Sequence, residues 1–123
     1  MTGRRGGERK RIVIIDDNRL LNAAFVEGLS RFLEGAEVSC YANVEAWLCA
    51  GRSQHDVFVV GQKMGAGFMD GDVGARIIRA LYPDVFIIGW SADRGLENAF
   101  FEAGADAFLS KPCDFDEIIA LLE

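Results

Sequence analysis

The chain has 123 residues, half of them hydrophobic, with thirteen Lys/Arg against nineteen Asp/Glu and a net charge of −6. That length suits one domain with a real core, and no apolar run approaches the ~20 residues of a transmembrane helix. Residues 1–11 hold five Lys/Arg and one Glu, and the remainder eight against eighteen; so acidic a body argues against nucleic-acid binding by the domain itself.

Residues 1–10 are basic and carry Gly3, Gly6 and Gly7, the composition of a disordered lead-in. No apolar segment behind them is long enough for a signal peptide. One domain is expected over 11–123, in a soluble, cytoplasmic chain. The cysteines Cys40, Cys49 and Cys113 lack metal spacing and read as reduced thiols.

Arg11 to Ile15 is a β-branched first strand ending in Asp16-Asp17-Asn18. A helix follows over 19–33, with Leu21, Phe25, Leu29 and Phe32 as its buried stripe. Residues 36–41 are a weaker second strand. Asn43 caps a short helix with Val44, Trp47 and Leu48 inward. Residues 56–60 form a fully apolar third strand ended by Gly61. A glycine-rich loop leads to a helix capped by Asp72, with Val73, Ile77 and Leu81 inward. Residues 85–90 are strand four, 96–103 helix four and 107–109 strand five. Asp114 or Asp116 starts the last helix, anchored by Phe115, Ile118 and Leu122. Five strands alternating with five helices predict an α/β fold, a doubly wound parallel sheet with right-handed crossovers.

In such a sheet Asp16, Asp17, Gly61, Ser91 and Lys111 all end strands on one edge, where open α/β sheets place their chemistry. Adjacent carboxylates suit Mg²⁺, and a hydroxyl and an ammonium suit phosphate oxygens. Lys111 precedes Pro112, so that peptide has a restricted geometry. His55 lies at the opposite edge as a surface residue, and no nucleophile–His–acid set forms. The loop 65–71 lacks the G-x-G-x-x-G spacing of a dinucleotide site.

These pieces resemble the receiver domain of two-component response regulators. The matching stretches are Ile14-Ile15-Asp16-Asp17-Asn18, Asp56-Val57-Phe58-Val59-Val60, Met69-Asp70-Gly71, Ser91-Ala92 and the run from Ala103 to Pro112. The resemblance implies a flavodoxin-like (βα)5 domain with strand order 2-1-3-4-5. It makes Asp16 and Asp17 the acidic Mg²⁺ pair, joined by the Lys63 carbonyl. Ser91 becomes the switch hydroxyl, Phe108 the aromatic switch and Lys111 the phosphoryl-contacting lysine, followed by the family's cis peptide. Cys113 stands where the family often has a large apolar residue.

One departure dominates: the family's phosphoacceptor aspartate falls at Gly61. Asp56 lies roughly 16 Å away at the other end of the strand. Gly65 also replaces the usual proline, about two extra residues within 65–68 lengthen the loop, and the fourth helix is short. Without a nucleophile the acyl-phosphate step is lost, and Mg²⁺ is held weakly or not at all. The hypothesis that follows is a Lys111–Asp17 ion pair closing the site. The expected role is a phosphorylation-independent interaction module, not an enzyme and without a cofactor. It meets a protein partner or a second copy through the helix 4–strand 5–helix 5 face, with Leu96, Phe100 and Phe101 as candidates and Phe101 leaning outward. The alternatives are a ligand sensor using the vacated pocket, or a phosphoacceptor using Asp16, Asp17 or Asp70.

Overall fold

The computed structural model describes residues 10–51, 55–111 and 115–122. Nearly all of the basic lead-in, the Lys111–Pro112 peptide, Cys113, Asp114 and the Phe115 side chain lie outside the described residues. The order is β1 (Arg11–Ile15), α1 (Arg19–Phe32), β2 (Glu37–Tyr41), α2 (Val44–Cys49), β3 (Val57–Val60), α3 (Gly71–Leu81), β4 (Phe86–Ser91), α4 (Glu97–Glu102), β5 (Ala107–Ser110) and α5 (Phe115–Leu122). A 3-10 turn at Arg94–Leu96 leads into α4. The sheet is five-stranded and parallel, in the order β2-β1-β3-β4-β5.

Alternation along the strands divides the core in two. Ile12, Ile14, Val57, Val59, Ile88 and Trp90 face α1 and α5, whose Phe25, Leu29, Ile118 and Leu122 cover them. Val13, Ile15, Phe58, Val60 and Ile87 face the other way, under Val44, Trp47, Ile78 and Phe100. Asn18 caps α1 and Asn43 caps α2 through their side-chain oxygens.

Two helices bury a different face from the one their spacing predicts. In α3 the buried residues are Gly71, Gly74, Ala75 and Ile78, while Val73 and Leu81 are 49% and 40% exposed. The helix lies too close to its neighbours for bulk. A Cβ on Gly71 would stand 1.6 Å from the Gly61 carbonyl oxygen, and one on Gly74 would stand 2.5 Å from Val44 Cγ2. Its N-cap is Asp70, not Asp72. The Asp72 carboxylate instead accepts from the Gln62 side chain, whose own oxygen accepts the Asp72 N–H. In α1, Phe25 and Leu29 are buried as expected, but Phe32 is 62% exposed, and Asn22 and Gly28 are inward. Asn22 turns in because its amide donates to the Asp16 carbonyl at 2.7 Å.

Candidate functional site

Parallel pairing aligns Ile15 with Val60 and Val60 with Gly89. One residue further along, Asp16, Gly61 and Trp90 therefore form a row across β1, β3 and β4, on the α1/α5 face. Gly61 is the middle member. Without a side chain there, the two flanking side chains meet: Trp90 Nε1 donates to Asp16 Oδ2 at 2.8 Å. A Cβ built on Gly61 would stand 2.3 Å from Asp16 Oδ2, 3.0 Å from its Cγ and 3.4 Å from Trp90 Nε1. The space of a side chain at position 61 is thus filled by a carboxylate from the neighbouring strand.

Lys111 completes the cluster. It follows β5, positioned by its N–H on the Ser91 carbonyl, and its ammonium lies 2.6 Å from Asp16 Oδ2 and 4.9 Å from the centre of the Trp90 ring. Asp16 Oδ1 accepts the Asn18 N–H at 2.9 Å. Asp16 is only 2% exposed, so its carboxylate is supported by three donors, one of them the Lys111 cation, in a poorly hydrated place. Trp90 is held in turn by Phe25, edge to face at 4.8 Å.

The lysine's partner is therefore Asp16, not Asp17. Asp17 points to solvent, because alternation sends it off the row on which Lys111 lies. Lys63 is also exposed. Ser91 is half-buried, and its hydroxyl oxygen accepts the Asp93 N–H at 3.1 Å, closing the turn after β4. Phe108 is half-buried against Phe100, their rings 5.8 Å apart.

Among the candidate interface residues, Phe100 is a correction. It is fully buried, and its ring lies over Gly89, where a Cβ would come within 2.5 Å of it. Leu96 is half-buried against the same core. Phe101 leans outward as expected, 43% exposed. His55 is half-buried beside Phe58, not a free surface residue. Its pKa is lowered by burial and by the nearby Arg11 charge. In the lengthened loop Gly65 and Gly67 have positive φ, and the Met69 N–H is tied to Glu45 Oε2 at 2.9 Å.

The sequence profile of the response regulator receiver domain matches residues 12–123. The chain belongs to that family. Solved receivers superpose on it closely. A response regulator from Burkholderia pseudomallei, bearing a phosphorylated aspartic acid, a calcium ion and citrate, is 26% identical with a TM-score of 0.81; the match covers 93% of this chain and 66% of that one. TrrA from Thermotoga maritima, in complex with Mg²⁺-BeF, is 26% identical with a TM-score of 0.78, over 92% of this chain and 96% of that one. A CheY-like receiver from Methanospirillum hungatei is 25% identical with a TM-score of 0.77, over 94% and 91%. No curated protein matches the sequence.

The donor set of this receiver does not fit a tightly held divalent cation. Mg²⁺ takes several oxygens in near-octahedral geometry. Here both Asp16 oxygens already accept hydrogen bonds, one of them from the Lys111 ammonium. Position 61 offers no carboxylate, and Asp17 and the Lys63 carbonyl are what remain. Among the described residues no group of three or more His, Cys, Asp or Glu is placed to hold a metal ion.

Trp90 is the member of this cluster that the sequence did not single out. The sequence marks it only as the end of strand four, and its ring is buried in the core. The signal lay in the register: a large donor-bearing residue one position before Ser91, in the same row as a glycine and an aspartate.

Proposed function

We propose that this receiver domain works in signal transduction as a phosphorylation-independent protein-interaction module, neither a phosphoacceptor nor an enzyme. One observation carries the reading: Asp16 Oδ2 lies 2.3 Å from where a Cβ at position 61 would be. The place of an acceptor side chain is filled. The Burkholderia relative carries its phosphorylated aspartic acid; this chain has glycine at the position the family resemblance assigns to that residue. No cofactor is required, and Mg²⁺ is held at most weakly. The domain acts in the cytoplasm and contacts neither nucleic acid nor membrane; among the described residues no helix is long and apolar enough to cross a membrane.

The contact surface is the face of α4, β5 and α5, offered to a protein partner or a second copy. Phe101 supports it as an exposed aromatic on α4. So does a cleft of about 240 Å³ lined by Arg94, Glu97, Phe108, Leu109, Ser110 and Glu117, which draws on all three elements and the turn before α4.

The test is intact mass after incubation with acetyl phosphate and Mg²⁺, with sedimentation run beside it. The expected result is no mass gain and an association equilibrium unchanged by either reagent. Stoichiometric phosphate on Asp16, Asp17 or Asp70 overturns the reading.

A further inference from the structure

We infer that Trp90 closes this site together with Gly61, so that position 61 alone does not decide phosphorylation competence. The inference rests on the proposed function and extends it. The site is not a receiver pocket short of one residue; it is a pocket held shut by a second.

Three observations support it. The row Asp16–Gly61–Trp90 follows from the strand register, so the two flanking side chains converge over whatever stands between them. The indole N–H holds Asp16 Oδ2 in that space, at 2.8 Å. Trp90 is 1% exposed and packed edge-on against Phe25, so it cannot swing aside. If Asp16 moved away, the buried N–H would lose its acceptor. Lys111 reinforces the arrangement from the other side, bonding the same oxygen and lying over the same ring.

A new side chain at position 61 must then displace a carboxylate that three donors hold in place. A gap of 2.3 Å between a Cβ and Asp16 Oδ2 is impossible without movement. A carboxylate added there also brings a second negative charge onto the first, with one lysine to serve both. Glycine at 61 and tryptophan at 90 are thus matched, and restoring the acceptor requires changing both. Phenylalanine at 90 removes the N–H and the outer ring while keeping an aromatic against Phe25, and leaves Asp16 free to turn.

The experiment compares Gly61→Asp with Gly61→Asp/Trp90→Phe, each checked for folding by circular dichroism and thermal melting. Both are incubated with acetyl phosphate and Mg²⁺, and intact mass is read. In the reaction an oxygen of the introduced carboxylate forms the new P–O bond as acetate leaves with the electrons of the broken one. The expected result is phosphate on the double variant and background on the single one. Equal phosphorylation of the two overturns the inference, as does a folded double variant that gains nothing. A second measurement needs no variant. In the native chain the indole N–H resonance of Trp90 should be slow to exchange with water and unmoved by Mg²⁺. Fast exchange, or a shift on Mg²⁺ addition, also overturns it. Phosphorylation of the native chain is a separate outcome, and bears on the proposed function alone.

Discussion

The two ends of the sheet each hold an aspartate against a cation at 2.6 Å, and the pairs do different work. At the end where the strands begin, Arg79 spreads over backbone. Its guanidinium donates to the carbonyls of Gly104, Pro83 and Val85 as well as to Asp106, and Asp106 also accepts the Ile87 N–H. This cluster joins the end of α3 to the turns before β4 and β5. Its carboxylate is 40% exposed. At the end where the strands finish, Lys111, Asp16 and Trp90 bond side chain to side chain, and the carboxylate is 2% exposed. The first cluster satisfies backbone groups that the fold would otherwise leave unpaired. The second ties few backbone groups and pairs a carboxylate with a cation in a dry place.

The largest expected effect that sharpens this contrast is at Lys111. Lys111→Met leaves the Asp16 carboxylate buried without its cation and should cost about 3–5 kcal/mol by urea denaturation. Asp16→Asn added to it should recover much of that loss, because no buried charge then remains. Arg79→Met should cost less, about 2 kcal/mol, since water can reach Asp106 and the partly exposed Gly104, Pro83 and Val85 whose carbonyls lose their donor. If Arg79→Met proves the costlier change, the contrast between the two ends fails.

A smaller effect concerns the proposed contact face. Phe101→Ser should alter monomer stability by under about 0.5 kcal/mol while weakening association, read by sedimentation. Unchanged association would remove Phe101 from the interface. The smallest effect lies at His55, beside the Arg79 end of the sheet. Burial and the Arg11 charge lower its pKa from the ordinary 6.5, so the folded state favours neutral imidazole. Between the folded value and 6.5 the unfolded chain binds more protons. His55 therefore leaves stability untouched above pH 6.5 and subtracts from it as pH falls below. His55→Gln should flatten the acid side of the stability profile. A profile identical to that of the native chain would show that the imidazole does not titrate this way.

Much of the architecture was legible because it depends on local pattern. The apolar runs at 12–15 and 57–60 and the cap at Asn43 place the elements within a residue or two. Family motifs then bring Asp16, Ser91 and Lys111 to one edge. Less legible were the faces of α1 and α3. Periodicity counts large apolar residues, whereas the buried faces carry small ones at Gly28, Gly71 and Gly74, and in α3 these lie against the Gly61 carbonyl and Val44. A helix that approaches backbone this closely has no room for the residues that would mark its buried side.

The sequence by itself determined the fold class, the strand edge where Asp16, Ser91 and Lys111 meet and the absence of a side chain at position 61, since each follows from residue type and order along the chain. Tertiary structure alone decided what fills that place. Asp16 and Trp90 stand 74 residues apart, on strands that touch only through β3, and which way a carboxylate turns depends on the donors that pairing brings within reach. That is also why Lys111 chose Asp16 over its neighbour Asp17: alternation put one on the lysine's side of the sheet and left the other in water.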